Sequence, residues 1–124
     1  MNTLSSFCVI GIYVTDMEAS LDFYVNKLGF KVDYVYDETC LVTLENDGPT
    51  VVIEKTEEPN PATYPSSSQV VLAVETKNLE KTSRKLKDSG VEFLHDGPQE
   101  FPAGTFMAFR DPSGNILELL QFKR

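Results

Sequence analysis

The sequence predicts an α+β fold built from two tandem βαβββ modules. Three observations predict it. The order strand, helix, three strands occurs twice along the chain, and landmarks in the two halves recur at a nearly constant spacing. Each predicted helix also stops at a glycine, Gly29 and Gly90, the residue that most readily takes the left-handed conformation closing a helix.

Taken in order, "FCVIGIYV" (7–14) is β-rich and forms the first strand. Thr15-Asp-Met-Glu18 has the spacing of a helix-capping box. Leu21, Tyr24, Val25 and Leu28 then follow at i, i+3, i+4 and i+7, one apolar face of a helix. Strands are expected near "FKVDYVYD", "CLVTLEN" and "TVVIEKT", with Asn46-Asp47-Gly48-Pro49 as a hairpin turn. In the second half "QVVLAVET" (69–76) is a strand and Asn78 caps a helix over 79–89, with Leu79, Ser83 and Leu86 facing inward. "VEFLHD", "GTFMAFRD" and "NILELLQF" complete the set. Asp111-Pro-Ser-Gly114 between the last two is a turn: Asp111 bonds its own backbone, Pro112 presets φ, and Gly114 accepts φ > 0.

Val14 and Val74 differ by 60 positions, Gly29 and Gly90 by 61, and Glu54 and Glu118 by 64. A duplicated unit with small insertions gives that drift. Module one runs over about 5–55 and module two over about 69–123 of a single domain. The stretch of about 56–68 between them is proline-rich, polar and aperiodic, and reads as a linker.

Composition limits the function classes. The 19 acidic against 11 basic residues give a net charge of −8, which argues against nucleic acid or an anionic membrane as partner and favours a cationic ligand. No stretch is long and apolar enough for a membrane span. "MNTLSSFCVI" lacks the basic and hydrophobic regions of a signal peptide, so a cytoplasmic location is expected. Cys8 and Cys40 are expected to be buried free thiols packed as small hydrophobes.

"TDMEASLDFYVNKLGF" after the first strand, together with "FRDPSGNILELLQ" at the end, resembles the vicinal-oxygen-chelate superfamily over essentially the whole chain. This group holds glyoxalase I, bleomycin-resistance proteins, fosfomycin-resistance transferases and extradiol dioxygenases. The resemblance implies a curved mixed sheet that lines a cleft, with helices on its outer side, and a homodimer. In metal-dependent members four strands each offer one inward side chain to a divalent ion. Carried over by residue, those positions are Val9, Glu54, Gln69 and Glu118. Val9 has no donor atom and Gln69 only a neutral carbonyl, so the set lacks the ligands of a catalytic zinc or iron centre. Either no cofactor binds, or Glu54, Gln69 and Glu118 hold a divalent metal such as Ni, Zn, Mn or Mg.

Strand parity adds Gly11 and Tyr13 beside Val9, Val52 beside Glu54, and Val71 beside Gln69 as ligand-binding candidates. Glu118 shares a side with Ile116 and Leu120, with Leu117 and Leu119 opposite. Both faces of this strand are apolar, so the acid marks a cavity. His95 is expected at a strand end with a solvent-exposed or loop-bonded imidazole, and Arg110 as a surface partner of Asp111 or Glu100. Three functions follow from the resemblance: a small-molecule-binding protein with a degenerate metal site; a lyase or isomerase of the glyoxalase or epimerase type using Glu54 and Glu118 as catalytic groups; or an accessory protein with a vestigial cleft. An extradiol dioxygenase is disfavoured, since the chain has a single histidine.

Overall fold

The structure is a computed structural model that describes residues 4–123. The chain divides into two compact units, with the boundary between Pro59 and Asn60. Each repeats one plan.

In the first unit, β1 (Val9–Val14) leads into α1 (Met17–Leu21), which continues as a π-helical segment, Asp22–Lys27. The helix is capped by Asp16, whose carboxylate accepts the Ala19 N–H at 3.0 Å. The capping box expected from Thr15 is therefore displaced by one residue. Asp16 supplies the acceptor and also a negative charge at the positive end of the helix. The π segment changes which side chains face inward. With Leu28 N–H bonded to Phe23 C=O at 2.9 Å, each turn is wider than an α turn. Met17, Ser20, Phe23 and Tyr24 become buried, while Leu21, Val25 and Leu28 of the expected stripe are only half-buried. Gly29 closes the helix at φ 89°.

The sheet of this unit has the order β1-β4-β3-β2, with β2 Val32–Asp37, β3 Leu41–Leu44 and β4 Thr50–Lys55. β1 and β4 run parallel, and the other neighbours are antiparallel. Ile12, Val14, Val42, Leu44, Val51 and Ile53 are buried and form the core on the helix side. Side chains alternate along a strand, so their neighbours in sequence necessarily face the other way.

The second unit has β5 (Leu72–Glu75), α2 (Leu79–Asp88), β6 (Gln99–Phe101), β7 (Gly104–Arg110) and β8 (Ile116–Phe122), in the sheet order β5-β8-β7-β6. Asn78 caps α2 by accepting the Lys81 N–H, and Gln121 of β8 accepts the Leu79 N–H at 2.7 Å, fixing the helix start to the sheet. Leu79, Ser83 and Leu86 of α2 and Met107, Phe109, Leu117 and Leu119 of the sheet are buried. Each of the large apolar side chains contributes roughly 1.5–3 kcal/mol by leaving water.

The repeat read from the sequence is a structural repeat. Tyr13 pairs with Glu54 across β1 and β4, and Ala73 pairs with Glu118 across β5 and β8. The first members differ by 60 positions and the second by 64, the spacing found along the chain.

Two strands are shorter than expected. Gln69 and Val71 lie before β5, which starts only at Leu72. Leu72 pairs with Leu117, so in this parallel register Gln69 and Val70 would fall opposite Gly114 and Asn115 in the 111–115 turn, where no strand exists. "VEFLHD" contributes only an isolated bridge, Phe93 to Phe109, and β6 comes later. The thiols are free, as expected, but Cys8 is exposed and Cys40 half-buried, so neither is a packed core residue. Among the described residues no helix is long and apolar enough to cross a membrane.

Gly104 is constrained by backbone. A Cβ there would overlap the carbonyl of Gln121, whereas one at Gly11 meets nothing within 4 Å. Gly104→Ala is expected to cost about 1–3 kcal/mol or more in urea unfolding, and Gly11→Ala to lie within about 0.5 kcal/mol of the parent.

Candidate functional site

In the first unit the face turned away from α1 carries Val9, Gly11 and Tyr13 of β1, Val52 and Glu54 of β4, and Leu41 and Thr43 of β3. Tyr34 pairs with Thr43 and so joins this face, and its ring meets that of Tyr36 edge-on at 4.6 Å. The parity argument thus grouped five of its candidates on one surface. Val9, Tyr13, Tyr34 and Tyr36 are 51, 56, 57 and 66% exposed, and no helix of their unit covers them. Glu54 is half-buried among them. Near it Asp37 accepts both the N–H and the hydroxyl of Thr39, at 2.9 and 2.6 Å. Those bonds, with a lesser one from Cys40, hold its carboxyl below the usual range. The Cys40 thiol is pushed up by burial first, then by Asp37 and Glu54.

In the second unit the corresponding face carries Glu118, Ala108, Phe106 and Ala73. Its organising contact is one the sequence did not reveal. Tyr64 donates its phenol proton to Glu118 Oε2 at 2.6 Å, a length typical of a bond to an ionised acceptor. Tyr64 lies in the stretch read as a linker. That stretch is built into the second unit from Asn60 on: Asn60 N–H donates to Ser113 C=O at 2.9 Å, and its side-chain amide to Asn115 at 3.1 Å. Thr63, Ser67 and Ser68 close a turn around Tyr64. Burial, and then the bond to Glu118 and its charge, push the Tyr64 phenol well above its ordinary value.

The half-buried His95 imidazole bonds a strand rather than a loop or solvent, a correction to the sequence expectation. Leu94 N–H donates to Ala108 C=O at 2.8 Å, after which the chain leaves the sheet. The imidazole takes the next rung, with Nδ1 accepting the Ala108 N–H at 3.1 Å. A ring accepting at Nδ1 carries its proton on Nε2 when neutral. The same ring stands edge-on to Tyr64 at 5.8 Å and to Phe106 at 5.7 Å, and Phe106 meets Phe101 at 6.0 Å. Glu118 is therefore set in an aromatic surround.

Several expectations need correction. Gln69 is exposed and Val71 half-buried ahead of β5, so neither continues the strand as Val9 does. Arg110 lies 3.9 Å from Glu92 rather than beside Asp111 or Glu100. The backbone bond from Arg110 N–H to Glu92 C=O sets those two residues opposite each other. Asp111 is occupied in its turn, where its carboxylate accepts the N–H groups of Ser113 and Asn115. Among the described residues no three His, Cys, Asp or Glu side chains come together as a metal site would require.

The profile of the Glyoxalase/Bleomycin resistance protein/Dioxygenase superfamily matches residues 6–119. The chain belongs to this superfamily. Among relatives, the uncharacterized Bacillus subtilis protein YetH is 30% identical, covering 89% of this chain and 92% of its own. YurT of the same organism is 28% identical, covering 91% and 96%. Among solved structures, TnmS3, an antibiotic binding protein from Streptomyces sp. CB03234, superposes with a TM-score of 0.71 at 24% identity, covering 99% of this chain and 100% of its own. A superfamily member from Nocardioides gives 0.75 at 22%, covering 98% and 86%. At these identities the solved structures establish the fold of this superfamily member and no more.

The Tyr64–Glu118 bond gives an alkaline signature. The native state keeps the phenol proton at pH values where an unfolded tyrosine, with a pKa near 10, loses it. The native state then binds more protons than the unfolded one, so stability falls as pH rises from about 10 upward. Tyr64→Phe is expected to remove that part of the fall, and Glu118→Gln only a fraction of it, because burial is the largest cause. Urea melts across this range and tyrosinate absorbance measure both; five tyrosines titrating together at the ordinary midpoint would contradict the assignment.

Proposed function

We propose that this superfamily member binds a small molecule on the helix-free faces of its sheets, without a metal ion. The observation that carries the reading is the first unit's exposed surface of Val9, Tyr13, Tyr34 and Tyr36 around the half-buried Glu54. Aromatic side chains left open on a concentrated apolar surface are costly to solvate and mark binding sites. A protein of the same fold, TnmS3, is an antibiotic binding protein. That supports the same class of function here.

The donor set supports the metal-free part. Val9 has no donor atom, Gln69 is exposed outside its strand, and one oxygen of Glu118 already accepts the Tyr64 hydroxyl. At either glutamate a divalent ion would lack the further strong protein ligands that a catalytic zinc site has.

A thermal-shift screen of aromatic small molecules in excess chelator tests the reading. A ligand at 100 times its Kd contributes about 2.7 kcal/mol, expected here as a rise of several degrees. Tyr13→Ala and Tyr34→Ala should each reduce that rise while leaving the unliganded melting temperature nearly unchanged. Stabilisation seen only after adding Ni²⁺, Zn²⁺, Mn²⁺ or Mg²⁺ would overturn it in favour of the metal-dependent alternative.

A further inference from the structure

The two repeated glutamates have opposite environments. Glu118 is satisfied within its own unit by the Tyr64 hydroxyl. The side chain of Glu54, at the same place in the first repeat and paired in register with Tyr13, makes no hydrogen bond or ion pair among the described residues. It is half-buried beside apolar and aromatic side chains, where an unmatched carboxylate is costly. No lysine or arginine makes an ion pair on this face: the two ion pairs of the described residues are Arg84 with Glu80 and Arg110 with Glu92. The surroundings add negative potential, since Asp37 is stabilised in its charged form by Thr39.

We infer that Glu54 is the anchor for an organic cation, an ammonium or guanidinium group carried on an apolar or aromatic body. This inference rests on the binding reading above and names the ligand class for its first-unit face. A carboxylate lacking a partner supplies the charge-assisted acceptor. Tyr13, opposite Glu54 in register, and the Tyr34–Tyr36 pair supply ring faces for the body and for cation–π contact. A metal cation would ask for several hard oxygen ligands at once, whereas an organic cation needs one carboxylate and an apolar surround. The net charge of −8 adds attraction at a distance for any cationic ligand. The second unit does not share the role, because the Tyr64 hydroxyl already neutralises the need that Glu54 retains.

The experiment is calorimetric titration of the full chain, with chelator present, against three matched probes: naphthylmethylammonium, its neutral N-acetyl derivative, and naphthoate. The cation is expected to bind at least about fivefold more tightly than the neutral probe, from a charge-assisted hydrogen bond and cation–π contact in a partly solvated site. Naphthoate is expected to bind weakest, and the preference to shrink with added salt. Glu54→Gln should abolish the preference. Glu57→Gln, at an exposed position, removes the same charge from the chain and should keep it. Equal binding of cation and neutral probe, or a preference that survives Glu54→Gln, overturns the inference and leaves the binding reading standing. Failure of all three probes to bind overturns both.

Discussion

Everything at the candidate site depends on the parallel pairing of the first strand of each unit with its last. That register puts Tyr13 against Glu54 and Ala73 against Glu118. With strand side chains alternating, it also decides which residues go to the helix and which to the open face. Ile53, Val51, Leu117 and Leu119 are buried in the cores, and the acids between them must face the other way. A slip of one residue would drive both carboxylates into the helix-side cores. The position of each glutamate is therefore as firmly set as the hydrophobic core itself.

Given that common frame, the units diverge through local chemistry. In the second, residues 60–68 are held by Asn60 and by the turn around Tyr64, so the phenol reaches Glu118 without flexible side-chain searching. His95 fills a missing rung of the sheet with its imidazole and joins the same aromatic group. Among the described residues no tyrosine hydroxyl of the first unit bonds Glu54, and Tyr13, Tyr34 and Tyr36 are exposed. Duplication supplied two equivalent acids, and one acquired an internal partner.

Much of this was legible in the sequence because it follows from short-range rules. Strand parity put Val9, Gly11, Tyr13, Val52 and Glu54 on one face. Asn78, Gly29, Gly90 and the Asp111 turn behave as their local chemistry requires. What was not legible depends on contacts between residues far apart in the chain. No periodicity announces that Tyr64, amid prolines and serines, will meet a residue 54 positions later. Nor does composition tell that a π segment will rotate Phe23 inward and leave Leu21 half-exposed. Gln69 was misplaced because its strand ends where its neighbour turns, a constraint set by β8 rather than by its own residues.

The claim on which the account turns is that Glu54 serves an organic ligand and not a metal. Manganese titration of the full chain with ring-labelled tyrosines, followed by paramagnetic broadening in NMR, tests it most directly. The account predicts only weak, non-saturating broadening spread over the acidic surface. Saturable broadening at one equivalent, centred on Tyr13, would show a divalent ion held at Glu54 and would contradict it.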